Sequence, residues 1–485
     1  MQVKLYNSLS KRVEDFNPIN PESVSIYSCG PTVYNYAHIG NIRAFLFADL
    51  LQRVLKVVAN YPVKWVMNIT NIDDKTIRDS QQGSPAWKPE MGEQTDDAKE
   101  NLSKLTNYYE QKFFEDLRLV GIDTNDFFAN PRATDYISEM QELIKMIYDK
   151  GLAYPADGSI YFNVNEWMKI DKYGKLKKLD FKNMKANLRI DSDQYEREQV
   201  SDFVIWKGLK PGEPFWDFML DGVNYPGRPG WHIECSAMEE KLLGLPFDIH
   251  TGGIDLKFPH HEDEIAQSKA GYGVEPTNYF CHNEFLEVEG EKMSKSKGNF
   301  FTIQDLIAKG IDPLNIRFSI LAAHYASVFN FTFDGIKSIS KGRYRIQDFI
   351  YGLFSEKSGD ATLKVEEIKE KIFSKLTDDL HTPKALAEIF SLINSTDPEM
   401  LNQQTKAELK ALFAQLNEIF HVWSLEAKPE TETEDIPAEI KQLADDRIAA
   451  KKEKNYAKAD EIRNKIDELG YALKDTKDGY EITKK

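Results

Sequence analysis

The sequence is poor in cysteine and has no long apolar run. Only three of its 485 residues are cysteine, namely Cys29, Cys235 and Cys281, and no two of them lie close together in the chain. This spacing argues against a disulfide framework and favours a reducing compartment, so we expect a cytoplasmic protein. The N-terminus lacks an apolar signal segment, and no stretch approaches the roughly 20 apolar residues that a membrane span requires. We therefore expect no association with a membrane.

The sequence also lacks an overall positive charge. Its formal net charge of −16 argues, taken alone, against a nucleic-acid partner, because lysine and arginine supply much of the attraction to phosphates. The charge is uneven, however: residues 168–189 carry eight Lys or Arg against two Asp or Glu, and residues 441–485 carry twelve against ten. A solvated face is the commoner reason for such a run. The two stretches therefore permit an RNA partner without demonstrating one.

The first part of the chain has the pattern of a β-α-β unit. Residues 24–29 and 61–69 are rich in β-branched and aromatic side chains and predict strands, whereas residues 42–55 place apolar side chains on one face of a helix. Such a unit is right-handed and belongs to a parallel sheet, whose ligands sit at the carboxyl ends of the strands. A second helix is predicted over residues 102–117, with Gly121 as its C-cap.

The pattern changes in the middle of the chain. Residues 120–230 are rich in lysine, proline and glycine, which predicts irregular structure. Residues 340–423 have the spacing of helices throughout. In one of these helices Thr382 is the predicted N-cap and Pro383 the first helical residue, as each residue type favours.

The last part of the chain has a third composition. Residues 424–440 are acidic, contain two prolines and lack apolar periodicity, so they predict a linker. A charged helix is predicted over residues 441–469. After it, residues 477–479 (Lys-Asp-Gly) predict the turn of a β-hairpin.

One motif lies where the first predicted helix begins. Residues 30–41 read GPTVYNYAHIGN, which places His38, Gly40 and Asn41 at the helix N-terminus. Backbone N–H groups and the helix dipole favour anions there, and glycine lets a phosphate approach closely. An ordinary strand-to-helix turn with a capping asparagine would have the same sequence, so this motif alone does not decide between them.

A second motif is rich in lysine. Residues 292–299 read KMSKSKGN, and their Ser and Gly residues predict a loop. Lysines on a loop that closes over a triphosphate would stabilise the charge that develops during displacement at phosphorus. A lysine-rich loop by itself is more often a solvated turn.

Taken in this order and about 250 residues apart, the two motifs resemble the HIGH and KMSKS signatures of class I aminoacyl-tRNA synthetases. Further segments resemble signature segments of the cysteinyl-tRNA synthetases among them: residues 30–41, 68–75 (NITNIDDK), 228–238 (RPGWHIECSAM), 247–268 (FDIHTGGIDLKFPHHEDEIAQS) and 378–390 (DDLHTPKALAEIF). The resemblance covers nearly the whole chain.

The resemblance implies an α/β fold: a Rossmann-like parallel-sheet catalytic domain with a connective insertion, then an α-helical bundle and a small α+β C-terminal module. The expected divisions are as follows: 1–120 and 231–285 for the two halves of the catalytic domain, 121–230 for the insertion, 286–339 for the KMSKS loop and a junction that contacts the tRNA stem, 340–423 for the bundle, 424–440 for the linker and 441–485 for an anticodon-binding module.

A metal site is suggested by the spacing within residues 260–264 (HHEDE). His260 and Glu264 are four residues apart, which puts both on one face of a helix and suits two ligands of one ion. His261, beside His260, should point elsewhere on that helix and is the main alternative in the ligand assignment. A lone cysteine is usually a small buried apolar residue, so the residues alone do not connect Cys29 and Cys235 with this pair. By the resemblance, one Zn²⁺ per chain is held by Cys29, Cys235, His260 and Glu264.

The resemblance also assigns the remaining site residues. Trp231 among them has the residue type of a core side chain as well. Three sets are implied: His38, Asn41, Lys292 and Lys295 for catalysis; these four with Gly40, Gly252, Gly253 and Asp255 for ATP; and Cys29, Thr70, Trp231 and His250 for cysteine.

The implied enzyme is a cysteine–tRNA ligase that uses ATP with Mg²⁺, L-cysteine and tRNA(Cys), and acts as a monomer. Zinc would select the substrate by its thiolate. Two alternatives remain open: a cysteine-adenylating ligase that acts on a small amine, and a non-catalytic zinc protein that binds RNA. The chain departs from the family at Asn41, where a second histidine is common, and at Ala326, where an arginine is common.

Overall fold

The computed structural model describes residues 1–179, 189–190, 202–293, 298–429, 437–453, 455–476 and 479–484. They form two compact units, Met1–Leu425 and Glu426–Lys485. Within the described ranges, no helix is both long and apolar enough to cross a membrane. Lys295, most of the basic stretch beyond residue 179 and the first two residues of the expected hairpin turn lie outside the described residues.

The helices and strands are numbered here in chain order. The helices are α1 Ile39–Val57, α2 Asp74–Ser80, α3 Ala98–Leu119, α4 Ile137–Asp149, α5 Val164–Trp167, α6 Trp231–Leu243, α7 His260–Tyr272, α8 Ile303–Ala308, α9 Pro313–Leu321, α10 Phe333–Leu353, α11 Val365–Leu376, α12 Thr382–Ser395, α13 Gln403–Phe420, α14 Ala438–Lys452 and α15 Tyr456–Glu468. The strands are β1 Lys4–Asn7, β2 Arg12–Asp15, β3 Val24–Ser28, β4 Val63–Met67, β5 Phe127–Ala129, β6 Ala153–Ala156, β7 Ser159–Phe162, β8 Arg189–Ile190, β9 Asp202–Gly208, β10 Met219–Leu220, β11 Val223–Asn224, β12 Gly227–Pro229, β13 Phe247–Gly253, β14 Thr277–Asn283, β15 Leu286–Val288, β16 Glu291–Lys292, β17 Phe329–Phe331, β18 Tyr471–Thr476 and β19 Gly479–Lys484.

The central sheet has five parallel strands in the order β14-β13-β3-β4-β5. Numbered along the chain and read from β5, this is the order 3-2-1-4-5 of a Rossmann-type sheet without its sixth strand, and the strand order reverses at β3. The strands β3 and β4 and the helix between them lie where the β-α-β pattern predicts them. The predicted α/β fold is therefore confirmed, and a ligand crevice belongs at the carboxyl ends of β3 and β13.

Helix α1 packs its apolar face onto the sheet and onto α3. Phe45 contacts Phe113 of α3 with ring centroids 5.0 Å apart. Helix α3 ends at Leu119, and Gly121 follows with a φ of 75°, a conformation that favours glycine just past a helix end. Both helices extend a few residues beyond their predicted bounds.

The middle region is more regular than its composition indicated. Residues 120–230 contain helix α4 and an antiparallel sheet in the order β12-β9-β7-β6, with β8 beside β9. The prediction of irregular structure was wrong here, because proline is compatible with an edge strand, as Pro155 in β6 shows. Helix α4 packs against α6 and α7, which carry residues of the candidate site.

The chain after the central sheet first forms a small sheet and then helices. Strands β16, β15 and β17 form a three-stranded sheet, in which β15 and β17 run parallel. Helices α10 to α13 form a bundle. Helix α12 begins at Thr382 itself, with His381 at the N-cap, so the prediction of Thr382 as the cap was one residue late.

The second unit consists of α14, α15 and the antiparallel pair β18 and β19. Its two strands confirm the predicted hairpin. The single helix predicted over residues 441–469 is in fact two helices. Helix α15 has Asn455 as its N-cap, whose side chain accepts a hydrogen bond from the N–H of Lys458 at 3.2 Å.

Candidate active site and metal centre

A cavity of about 390 Å³ lies at the carboxyl ends of the parallel strands. It is the crevice expected where the strand order of the sheet reverses. The predicted site residues that line it are Cys29, His38, Gly40, Asn41, Thr70, Trp231, Cys235, Gly253, Asp255, His260 and Lys292. The loop after β3, the starts of α1 and α6, and the segments after β13 and β14 thus meet at one opening.

The start of α1 is closed by its own side chains. His38 is the N-cap, and its Nδ1 accepts hydrogen bonds from the N–H groups of Gly40 at 3.1 Å and Asn41 at 3.2 Å. The Oδ1 of Asn41 in turn accepts a hydrogen bond from the His38 N–H at 3.2 Å. Two backbone donors expected for phosphate are therefore already occupied, and the bond to Nδ1 puts the proton of a neutral His38 ring on Nε2.

The second motif approaches this helix start. Gly40 leaves room for the side chain of Met293, because a Cβ at residue 40 would lie 2.7 Å from the Met293 methyl group. The ring of Phe300 packs edge-on against that of His38, with centroids 5.0 Å apart. The ammonium of Lys292 lies 5.7 Å from the ring centre of Phe285. The two motifs, far apart in sequence, thus border the same cavity.

Two thiols, an imidazole and a carboxylate form a compact cluster beside the cavity. The sulfurs of Cys29 and Cys235 are 3.9 Å apart, and Cys235 Sγ lies 3.6 Å from His260 Nε2. Glu264 Oε1 is 3.8 Å from Cys29 Sγ and 2.9 Å from His260 Nε2. All four ligand atoms lie within 4.8 Å of one another, so they could hold one metal ion.

The two thiols of this cluster differ in acidity. Burial raises the pKa of the Cys29 thiol well above its ordinary value. Burial acts in the same sense on Cys235, but the hydrogen bond with Cys29 and the bond with His260 outweigh it, and the pKa of Cys235 is lowered. Of the two thiols, Cys235 is therefore the more acidic, and the thiolate is the form in which cysteine binds a metal.

His261 also belongs to the cluster, contrary to the expectation that it points elsewhere on its helix. Its Nε2 lies 3.3 Å from Cys29 Sγ, and it forms a second possible ligand set with Cys29, His250 and Glu264. Gly252 allows this approach, because a Cβ at that position would lie 2.7 Å from the His261 ring. Burial lowers the pKa of His261 well below its usual value, so the ring is neutral.

His250 lies behind the cluster and does not line the cavity. Its Nε2 is 2.9 Å from a carboxylate oxygen of Glu239 and 2.9 Å from one of Glu264. Burial alone would lower the pKa of His250, but the charges of Glu264 and Glu239 raise it to about 10. A charged His250 thus forms an ion pair with Glu264, and its direct contact with a substrate remains a prediction.

Two further predicted residues flank the cluster on the cavity side. The indole of Trp231 stacks on the His260 ring with centroids 4.1 Å apart and an angle of 24°. The hydroxyl of Thr70 accepts a hydrogen bond from Asn68 at 3.1 Å. Trp231 is only partly buried and borders the cavity, which distinguishes it from a core side chain.

Several residues around the site were missed by the sequence reasoning. Glu239 lies four residues after Cys235 on α6, and this spacing places both side chains on one face of the helix. His282 donates to or accepts from His261 at 2.8 Å, but it lies on β14 and no local pattern relates it to α7. Lys75 lines the cavity and is the last residue of the NITNIDDK segment. Its positive charge within a signature segment could have indicated a site residue.

Comparison with known proteins supports one family. Residues 15–341 match the family described as tRNA synthetases class I (C) catalytic domain. The chain is 42% identical over 499 aligned positions to a cysteine–tRNA ligase of Brachyspira hyodysenteriae, covering 100% of this chain and 99% of that protein. A cysteine–tRNA ligase of Leptospira interrogans is likewise 42% identical, with 100% of each chain covered. One of Koribacter versatilis is 38% identical, with 99% of each covered.

Solved structures share the fold at low identity. A methionyl-tRNA synthetase of Mycobacterium tuberculosis in complex with methionyl-adenylate superposes with a TM-score of 0.56 at 12% identity, covering 82% of this chain and 89% of that one. A LeuRS–tRNA complex of Agrobacterium radiobacter also gives 0.56, at 11% identity and 84% and 85% coverage. At such identity the likeness concerns the fold alone.

Proposed function

The chain belongs to the cysteine–tRNA ligases among the class I synthetases, and we propose that it activates L-cysteine with ATP and transfers it to the 3′ end of tRNA(Cys). The observation that carries the proposal is the junction of two chemistries at one cavity. A cluster with two thiols borders it together with the capped start of α1 and Lys292. The cluster suits recognition of a sulfur, and the start of α1 together with Lys292 suits a nucleotide phosphate.

The donor set of the cluster fits a zinc ion. A tetrahedral site with sulfur at about 2.3 Å and nitrogen at about 2.0 Å places two sulfurs about 3.8 Å apart, and sulfur and nitrogen about 3.5 Å apart. The distances of 3.9 Å and 3.6 Å in the cluster match these values. Cys29, Cys235, His260 and Glu264 would hold one Zn²⁺ per chain, with His261 as a competing ligand.

When bound, the ion supplies a borderline-soft Lewis acid that accepts a thiolate sulfur more readily than a hydroxyl oxygen. A site shaped only by size discriminates weakly between isosteric side chains. Selection by sulfur would therefore distinguish cysteine from serine. Trp231 and Thr70 would confine the rest of the amino acid on the cavity side, and His250 would hold Glu264 in place.

The nucleotide would bind at the start of α1. Because the Gly40 and Asn41 backbone donors bond to His38, the groups that would donate to a phosphate there are the His38 Nε2–H and the side-chain amide of Asn41. Asn41 would thus replace the second histidine of the common motif. Lys292 and Lys295 would add positive charge to the triphosphate with its Mg²⁺, and Gly252, Gly253 and Asp255 would approach the adenosine.

The reaction has two displacements. The cysteine carboxylate attacks the α-phosphorus of ATP, the bond to the bridging oxygen breaks, and pyrophosphate leaves with its electron pair. A hydroxyl of the terminal tRNA ribose then attacks the acyl carbon, loses its proton, and AMP leaves. No covalent bond to the enzyme forms, so the protein contributes orientation and electrostatic stabilisation.

The test is cysteine-dependent exchange of pyrophosphate into ATP, followed by charging of tRNA(Cys), with serine as the matched substrate control. We expect exchange with cysteine, little exchange with serine, and transfer to the tRNA. Lack of exchange with cysteine would identify a non-catalytic protein. Exchange without charging, but with consumption of a small amine, would identify the other kind of cysteine-adenylating ligase.

A further inference from the structure

Arg43 has an unusual environment for a charged side chain. It lies on α1, one turn beyond the capped helix start, and it is only 2% exposed. Its guanidinium donates to four backbone carbonyl oxygens, those of Phe285 and Ser327 at short range, Tyr325 at 3.2 Å and His324 at 3.4 Å. Among the described residues, no carboxylate forms an ion pair with it.

Such a buried cation is costly for the fold. Burial lowers the pKa of Arg43 to about 10, although the charge of Glu284 acts in the opposite sense, so the side chain stays charged near neutral pH. Its direct hydrogen-bond partners are all backbone carbonyl oxygens. An apolar side chain would fill the same space without the loss of hydration. The guanidinium, however, has five donors in a rigid plane, which allows one side chain to join several carbonyls from different segments.

The four carbonyls belong to the two segments that begin strands β15 and β17. Phe285 immediately precedes β15, and the turn 324–327 leads into β17. The two strands pair in parallel, with Leu286 opposite Phe329. Strand β16 pairs with β15 and ends at Lys292, so this small sheet carries the start of the lysine motif.

The other end of the connection is the start of α1. Arg43 follows His38 by five residues, roughly 7–8 Å along a helix. One turn further, the ring of Phe47 stacks on Tyr325 with centroids 4.4 Å apart, and the Phe329 ring lies 5.7 Å from the guanidinium carbon. These rings shield the bonds of Arg43 from water, which strengthens them.

We propose that Arg43 is a positioning residue, which fixes the distance between the His38 side and the Lys292 side of the ATP site by tying α1 to the beginnings of β15 and β17. This inference rests on the proposed function. A change at Arg43 should then misplace the groups that act on the triphosphate. The cluster of two thiols, an imidazole and a carboxylate, which lies at the end of β3 and on α6 and α7, should keep its geometry.

The matched control is Arg53, which lies on the same helix and is 8% exposed. Its guanidinium donates to Asp49 at 2.8 Å and to the carbonyl oxygen of Glu418 at 2.8 Å, partners that do not line the cavity. Arg43→Lys and Arg53→Lys thus each replace a buried five-donor group with a three-donor group on α1. Both variants and the wild type are compared in cysteine-dependent ATP–pyrophosphate exchange, with melting temperature and zinc content measured in parallel.

We expect Arg43→Lys to lower kcat for exchange by about 10- to 100-fold, the scale for a small misplacement of reacting groups, with the KM for cysteine within about threefold of wild type. Arg53→Lys should change kcat and the KM for cysteine by less than about threefold, even if its melting temperature falls as much as that of Arg43→Lys. If Arg43→Lys does not fold, Arg43→Gln, which carries no charge to bury, is expected to show the same split between kcat and cysteine KM.

Equal losses of activity in the Arg43 and Arg53 variants, following their melting temperatures, would overturn the proposal, as would a loss at Arg43 that appears in the cysteine KM or in zinc content. Absence of exchange by the wild type would instead overturn the proposed function, and this inference with it.

Discussion

At the scale of single residues, the site depends on side chains that are distant in sequence. Cys29 and Cys235 are 206 residues apart, yet their sulfurs are separated by 3.9 Å. Both sulfurs belong to the candidate ligand set, whereas Cys281 is a buried thiol on β14 outside it. A cysteine-to-serine change can therefore be compared inside the candidate ligand set, at Cys235, and outside it, at Cys281.

We predict that Cys235→Ser lowers the bound zinc from about one per chain to a small fraction, because a hydroxyl is a poor ligand at neutral pH. The apparent KM for cysteine should rise by at least about tenfold, while the KM for ATP changes little. Metal analysis and exchange kinetics measure these quantities. Cys281→Ser is the control and should keep its zinc; full zinc and unchanged cysteine KM in Cys235→Ser would refute the ligand assignment.

Asp116 provides a prediction about stability. Its Oδ1 accepts a hydrogen bond from Gln304 at 2.9 Å, its Oδ2 has no hydrogen-bond partner in the described part of the chain, and burial raises the pKa of Asp116 to about 6. The folded protein thus binds this proton more tightly than the unfolded chain, where the pKa is about 3.9. Stability is therefore lost as the pH rises from about 4 to above 6.

Asp116→Asn removes this penalty. We expect the variant to be more stable than wild type by about 1–2 kcal/mol at pH 7.5, allowing for partial solvent screening, and to lose that advantage at pH 4.5. Thermal melting at both pH values measures it. An advantage of the same size at both would show that ionisation is not its cause.

Asp49→Asn is the control, and its effect on stability should be opposite in sign to that of Asp116→Asn. Burial opposes ionisation of Asp49 too, but Arg317 and Arg53 outweigh it and lower its pKa, so Asp49 is charged at both pH values. The amide would leave the buried guanidinium of Arg317 without its carboxylate and Arg53 with only the more distant Asp126, at 3.7 Å. We therefore expect this variant to be less stable at pH 4.5 and at pH 7.5.

At the scale of elements, helix α7 presents different residues to two neighbours. His260 and Glu264 contribute to the thiol cluster. Glu262 instead accepts three backbone hydrogen bonds from the segment that precedes residue 180, namely from Gly174 at 2.7 Å, Lys175 at 2.9 Å and Leu176 at 2.9 Å. One short helix therefore both builds the candidate metal site and fixes the described part of the basic stretch.

We predict that Glu262→Ala loosens this segment, because three backbone donors lose a common acceptor. Local opening should become easier by at least about 1.4 kcal/mol, which raises trypsin cleavage after the exposed Lys172 by about tenfold or more. Cleavage is followed by mass spectrometry in the folded protein.

Glu275→Ala is the matched control. Glu275 pairs with Lys175 and Lys269 in the same region, but both lysines also pair with Asp171. Its removal should leave cleavage after Lys172 within about threefold of wild type. Equal rates in the two variants would mean that Glu262 does not hold the segment.

At the scale of the whole molecule, the chain consists of two compact units that divide after Leu425. The cavity, the thiol cluster and Arg43 all belong to the first unit. The second unit carries basic side chains on its helices, among them Lys451, Lys452 and Arg463. Its assignment as an anticodon-binding module, like the domain boundaries drawn from the sequence, remains a prediction.

Truncation after Leu425 tests that assignment. We expect cysteine-dependent exchange within about threefold of the full chain, because the substrate cavity is intact. Charging of tRNA(Cys) should fall by at least about tenfold, and tRNA binding should depend less steeply on salt, because phosphate contacts are lost.

Two results of the truncation would contradict the assignment. Equal charging by both proteins would mean that the second unit has another role. Loss of exchange as well as charging would mean that the first unit needs the second for its own folding.

Much of the local structure follows from short-range sequence patterns. Strand and helix patterns depend only on side chains two to four residues apart in the sequence. The structure has β3, α1 and β4 where these patterns predict them, at residues 24–29, between the two strands, and at 61–69. The spacing of His260 and Glu264 likewise sufficed to place both on one helix face. With the resemblance of its motifs, the chain also indicated its family before any contact was known.

The contacts between distant residues depend instead on how whole elements pack together. Periodicity gives the face of an element but not the element that packs against it, so the residue pattern alone did not connect Cys29, Cys235 and α7, which only the family resemblance joined. The position of His261 beside Cys29 and the partners of Arg43 were available from neither. The carbonyls that Arg43 binds lie 242 to 284 residues further along the chain. They reach it because the strand order of the sheets, set by the burial of whole elements, brings β15 and β17 to the side of α1.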